Sequence, residues 1–203
     1  MSDRGLRPLS FDESLMMKTE LTDGRIRLCP YHVDDADELY RAVRESIAEL
    51  HPWMPWCLPE YSIEDSRNWL AARAEARSKC TEYDFRILDA HTDEYLGGVG
   101  LNQIKELYRA ANLGYWLKTS ATGRGVATRA ARLVARFGFE ELNLIRIEIV
   151  AAVGNLASQR VAEKVGAVRE GVMRKALIIH GIEHDAVLTA LLAEDMKSKD
   201  EGG

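Results

Sequence analysis

Between Leu113 and Gly166 the apolar positions change period twice. Leu113–Leu117 is a short apolar run, and Ile147 and Ile149 alternate with polar neighbours within Arg146–Val150. Both segments read as strands. Between them Val126, Ala130, Leu133, Val134 and Phe137 recur at helical spacing, with Arg129, Arg132, Arg136 and Glu140 on the opposite face. The pattern predicts a basic, solvated helix face. Asn155 is placed to cap a further helix that runs to Val165 and stops at Gly166. Gly123-Arg124-Gly125 stands between the first strand and its helix. A glycine turn entering a helix N-terminus offers main-chain amides and the positive end of the helix dipole to a phosphate.

The remaining elements follow the same logic. Thr22-Asp23-Gly24 is a turn signal ahead of the alternating segment Arg25–Cys29. Ala36, Leu39, Tyr40, Val43 and Ile47 predict one helix over Val33–Ala48, and His51-Pro52-Trp53-Met54-Pro55-Trp56 breaks it. Ser62-Ile63-Glu64-Asp65 reads as a capping box for a helix through about Lys79. Tyr83–Asp89, Glu94–Ile104 and Ala110–Leu117 read as strands, the second carrying Gly97, Gly98 and Gly100, which predicts a bulge or a close backbone approach. Val168 onward is extended, is interrupted at Gly181 and resumes in a closing strand over Asp185–Leu192. Residues 1–17 read as an arm, 18–194 as one α/β domain, and 195–203 as a charged, frayed tail.

Composition narrows the function classes. Of 203 residues 46% are hydrophobic and 29% charged, which suits a globular domain with a real core. A net charge of −5 argues against nucleic acid as a partner. No run of about 18 apolar residues predicts a membrane span, and the first residues lack the apolar core of a signal peptide. Three dispersed cysteines (Cys29, Cys57 and Cys80) fit reduced thiols in a cytoplasm, and neither they nor the scattered histidines suggest a metal site.

Three chemistries compete for Gly123-Arg124-Gly125-Val126-Ala127-Thr128. A dinucleotide fingerprint fails at Thr128 and lacks an acidic residue closing the next strand, because Glu148 falls mid-strand. A P-loop is absent, since no Gly-Lys-Ser/Thr follows. The third is the pyrophosphate loop of an acyl-CoA-dependent transferase. Leu113-Gly114-Tyr115-Trp116-Leu117 with Thr122–Thr128 resembles the acetyl-CoA motif of the GNAT N-acetyltransferases, and within them the RimJ/RimL type that acetylates protein N-termini. Asn155-x-x-Ser158 with Lys164-Val165-Gly166, Glu170-Gly171, His184-Asp185 and Trp53-Met54-Pro55-Trp56 extend the resemblance over residues 20 to 193.

The resemblance implies a mixed, mostly antiparallel sheet, splayed in the middle, with helices on both faces. It implies acetyl-CoA as acyl donor, its arm pairing with the backbone of Tyr115, Trp116 and Leu117. The pyrophosphate would lie on the loop residues Gly123, Arg124, Gly125, Val126, Ala127 and Thr128. By the same match Asn155 holds the arm and Ser158 protonates the leaving thiolate. On the residues alone, Asn155 is equally a helix cap and Ser158 a hydroxyl bonded to backbone. Trp53 and Trp56 either line an acceptor pocket or fill core.

The family's glutamate before Gly-Tyr-Trp is Asn112 here, and a second acidic position is Leu177. An α-amine titrates at about 7.7–8.0 and a lysine at about 10.4, so a weak base favours the α-amine of a protein or peptide as acceptor. Tyr115, Glu183 and Asp185 are candidates to relay its proton. A small-molecule amine, a succinyl donor, a homodimer, and a silent acyl-CoA-binding module all stay open.

Overall fold

The computed structural model describes residues 20–200, with side chains to Met196. The arm read at 1–17 and the end of the tail, 201–203, lie outside them. Strands β1 (Leu21–Thr22), β2 (Ile26–Pro30), β3 (Tyr83–Asp89), β4 (Tyr95–Lys105), β5 (Ala110–Leu117), β6 (Arg146–Ala152), β7 (Val168–Ile179) and β8 (Ile182–Leu191) form one sheet. Its order is β1-β2-β3-β4-β5-β6-β8-β7, and every neighbouring pair is antiparallel except β5 and β6. Parallel strands need a crossover, and helix α4 (Val126–Glu140) supplies it.

The buried stripe of α4, with Val134 at 0% and Phe137 at 2% exposure, packs on Phe85, Leu101 and Ile147. Its small residues bring the helix close, so that a Cβ at Gly138 would lie 2.9 Å from Ile147 Cδ1. Helix α5 (Leu156–Val165) joins that layer through Ala162 and Val165. On the opposite face α1 (Ala36–Glu45) and α3 (Ile63–Ser78) enclose a second core with Leu39, Val43, Leu70, Leu88 and Tyr95. The start of α3 is the capping box read from the sequence: Asp65 N–H donates to Ser62 Oγ at 3.3 Å and Ser62 N–H to Asp65 Oδ2 at 2.8 Å.

Three elements differ from the sequence reading. Val33–Ala48 is not one helix: a 3-10 turn over Val33–Asp35 leads into α1, and a break at Ser46 separates the short α2 (Ile47–Leu50). Ser46 is 0% exposed; its hydroxyl donates to Ala42 O at 2.8 Å and accepts Thr119 N–H at 2.9 Å. A contact 73 residues away therefore sets the break, and no local pattern carries it. The residues read as a frayed tail from 195 begin inside a helix, α6 (Ala193–Asp200), where Met196 packs on the core and Asp195 Oδ2 accepts Leu192 N–H at 2.8 Å. The segment around Gly181 is a hairpin turn, and both its arms are long strands.

Candidate functional site

β5 and β6 pair only over Ala110↔Arg146, Ala111↔Ile147 and Asn112↔Glu148. From Leu113 onward the strands part, and that edge of β5 has no strand partner among the described residues. The opening widens into a cavity of about 570 Å³ lined by Gly114, Tyr115, Ile149, Ala151, Asn155 and Ser158, among others. An unpaired strand edge beside a cavity is a template for an extended ligand to pair with.

Asn155 and Ser158 sit where α5 opens onto this cavity. Asn155 caps the helix, its Oδ1 accepting Ser158 N–H at 3.0 Å, which leaves its amide NH₂ as the group that can donate to a ligand. The Tyr115 hydroxyl donates to Ser158 O at 2.9 Å and lies 3.0 Å from Ser158 Oγ. Burial, opposed by that hydrogen bond, pushes the Tyr115 phenol up to about 12. Tyr115 therefore stays protonated through the neutral range. Ser158 is thus a hydroxyl held at the mouth of the splay with a second hydroxyl behind it.

The glycine loop faces solvent beside the same helix layer. Gly123 and Gly125 hold φ of +75° and +76°, and a Cβ at either would meet nothing within 4 Å. These glycines answer a backbone demand, because left-handed φ costs other residues roughly 1 kcal/mol or more. Gly125 caps α4 without any side-chain hydrogen bond, while Val126 and Ala127 turn their side chains into the core. The first-turn amides of α4 are left for an anion. Arg124, Thr128, Arg129, Arg132, Arg136 and Lys164 line an adjoining recess of about 590 Å³. The arginines read as a solvated face thus gather at one basic hollow. Asp23 answers Arg129 at 2.7 Å, and Asp89 stands 3.7 Å from Arg124.

Trp116 and Leu117 send their side chains to opposite faces of β5, Trp116 toward the core under α1 and α3 and Leu117 toward the core under α4. The Trp116 indole lies over Gly98, where a Cβ would be 2.7 Å from its Nε1, and meets Trp56 at 5.8 Å. Leu117 packs against Gly97. Trp53 and Trp56 both line the splay cavity, with Trp53 against Gly154 and Trp56 40% exposed. Their segment is tied to the β7–β8 turn by a 2.8 Å hydrogen bond from His180 Nε2 to His51 O and by stacked imidazoles 4.0 Å apart.

Asn112 and Leu177 line the cavity as well, Asn112 donating to Asn102 Oδ1 at 2.9 Å. Glu183 and Asp185 do not: Glu183 pairs with Lys175 at 2.5 Å and Asp185 accepts Lys175 N–H at 2.8 Å, so both serve the hairpin. Sequence reasoning missed Asp84 and Arg73 on the cavity wall. The signal was the alternation of β3, which puts Asp84 on the face of the glycine-rich strand beside it. Among the described residues no cluster of His, Cys, Asp or Glu could hold a metal ion, and no helix is long and apolar enough to cross a membrane.

The family model described as "Acetyltransferase (GNAT) domain" matches residues 25–168. The chain belongs to the GNAT acetyltransferases. It is 38% identical over 136 residues to "Probable N-acetyltransferase YjcK" of Bacillus subtilis (strain 168), covering 66% of this chain and 75% of that protein. It is 26% identical over 156 residues to "Ribosomal-protein-serine acetyltransferase" of Escherichia coli (strain K12), covering 77% and 86%. A solved structure titled "RimL- Ribosomal L7/L12 alpha-N-protein acetyltransferase in complex with Coenzyme A" superposes with a TM-score of 0.81 at 22% identity, covering 87% of this chain and 99% of that one. The splayed mixed sheet expected from the resemblance is the sheet observed, and this GNAT chain is an N-acetyltransferase.

Proposed function

We propose that this N-acetyltransferase moves an acetyl group from acetyl-CoA to the α-amine of a protein or peptide. The observation that carries the reading is the splay itself, where a bare β5 edge, the Ser158–Tyr115 pair and an aromatic-walled cavity meet. The ribosomal-protein-serine acetyltransferase of Escherichia coli supports the acceptor class.

The residues fit the donor. The free edge over Tyr115, Trp116 and Leu117 matches its extended arm, the amides after Gly123 and Gly125 match the pyrophosphate, and the arginine-lined recess matches a further phosphate. When bound, acetyl-CoA supplies the acetyl group as a thioester. The chain's own work is positioning and proton handling. Asn155 keeps α5 in register and offers its NH₂ to the arm. Ser158 stands to give its proton to the departing sulfur, with Tyr115 behind it. Trp53 and Trp56 wall the acceptor side.

A panel of amines with thiol release as readout tests the reading. Peptides with free N-termini are expected to turn over, and the same peptides blocked at the N-terminus but carrying lysine are not. Turnover of blocked lysine peptides or of polyamines alone sinks the acceptor assignment. Tight acetyl-CoA binding with no turnover on any amine sinks the transferase. Asp65 and Asp84 on the wall favour, as the second reading, a small polycationic amine. Trp53→Ala is expected to raise the KM for the amine at least about tenfold, the scale of a buried aromatic contact, and to leave the KM for acetyl-CoA unchanged. Equal rises in both would assign Trp53 to the core.

A further inference from the structure

On the sheet face that carries α1 and α3, two glycines lie where neighbouring strands would normally present side chains. Asp84 of β3 is opposite Gly100 of β4, and Gly100 is opposite Gly114 of β5. A Cβ at Gly100 would come within 2.3 Å of Asp84 Oδ1, so the carboxylate lies over Gly100. A Cβ at Gly114 would meet only Asn102 Nδ2, at 3.7 Å, so the space beyond is open. Asp84 lines the splay cavity although its side chain is only 16% exposed. Arg73 Nη1 stands 3.5 Å from Oδ2 and is itself engaged by Glu82, while no described protein group hydrogen bonds Oδ1.

Neighbouring strands are about 4.8 Å apart, which puts β3 roughly 10 Å from β5. By lying over β4 the carboxylate closes about half of that distance. Asn112 is two residues from Gly114 and shares its face. The acid missing at 112 is therefore matched by one reaching across bare backbone from two strands away.

We propose that Asp84 is the general base of the acceptor site, its Oδ1 receiving the ammonium of the incoming amine and taking the proton that must leave before nitrogen attacks. This rests on the transferase reading above. Asp84 takes one proton from R–NH₃⁺. The freed lone pair forms the C–N bond as the C–S bond breaks. Ser158 gives its proton to sulfur and is replenished by the proton that nitrogen loses on becoming an amide. Asp84 then releases its proton to water, so the sum is amide, thiol and H⁺.

The electrostatics agree. Burial pushes Asp84 up to about 6, against the pull of Arg73 and Arg77 of α3. Asp65 and Tyr31 share the cavity wall, and Arg86, one alternation along β3, is occupied by Asp35 at 2.6 Å. The group is ionised at neutral pH yet holds a proton far better than an exposed carboxylate, which suits a base.

The test is Asp84→Asn, with an N-terminally free peptide and acetyl-CoA. At about pH 7 its kcat/KM is expected to fall on the order of 10²-fold. The deficit should narrow at least about tenfold by about pH 9.5, where an α-amine arrives neutral. The wild-type acid limb near pH 6 should be absent from the variant, and ¹³C-carboxyl spectra should show a resonance titrating there in wild type alone. CoA affinity should not change. Asp84→Glu, which keeps a carboxylate, should recover part of the rate. Because burial disfavours the ionised carboxylate, stability drains away as pH rises from the unfolded value through about 6, so Asp84→Asn should melt no lower than wild type at about pH 8. A deficit equal at both pH values, or wild-type rates in Asp84→Asn, overturns the role of Asp84 alone. A wild-type protein that binds CoA but acetylates no amine overturns the transferase reading and this one with it.

Discussion

Ser158→Ala is expected to lower kcat about 10²-fold or more under chemistry-limited conditions, the scale of a lost general acid, with acetyl-CoA affinity intact. Asn155 still caps α5 through the Ser158 main-chain N–H, which the substitution keeps, so the helix and the arm's binding edge survive. Tyr115→Phe should cost less, because Ser158 retains its own proton. The double variant should be no worse than Ser158→Ala, because Tyr115 acts through Ser158. With the phenol pushed up to about 12, no basic limb from Tyr115 should appear below about pH 10. Pre-steady-state thiol release measures all three variants. An unchanged rate in Ser158→Ala removes the general-acid role.

Gly97→Ala is expected to destabilise the fold by about 3 kcal/mol or more, a loss of roughly 10 °C in Tm. Gly97 has φ +150°, and a Cβ there would lie 2.2 Å from Trp116 O and 2.8 Å from Leu117 Cα. Both obstacles are backbone of β5, so relief requires moving the strand that carries the site. Gly24→Ala is the control: φ is +81°, yet a Cβ meets nothing within 4 Å. Its cost should stay near 1 kcal/mol, the backbone term alone. Thermal melts of the two variants separate collision from conformational strain. Equal, small losses would mean that β4 and β5 slide apart freely.

Much of the site was legible because its chemistry is local in sequence. A glycine turn before a helix, a capping asparagine and a serine three residues on are short-range signals, and the structure puts each at the predicted helix end. The capping box at Ser62 and the three-glycine strand were legible for the same reason. Side-chain environments are not local in this way. Trp116 sits in the run read as donor-binding, yet its indole turns to the face opposite Tyr115, since alternate residues of a strand face opposite ways. Glu183 and Asp185 lay near matched residues, and their side chains engage Lys175 of the hairpin.

By itself the sequence determined the element types and the glycine turn before a helix N-terminus, because propensity, capping and glycine conformation act over a few residues. Only the tertiary structure decided what depends on distant backbone. It parted β5 from β6 after Asn112, broke the first helix at Ser46 through a hydroxyl shared with Thr119, and joined Tyr115 to Ser158. It also gathered the α4 arginines around one recess and laid Asp84 over Gly100. Each of these is set by sheet register and layer packing, in which residues tens of positions apart share a few ångströms of space.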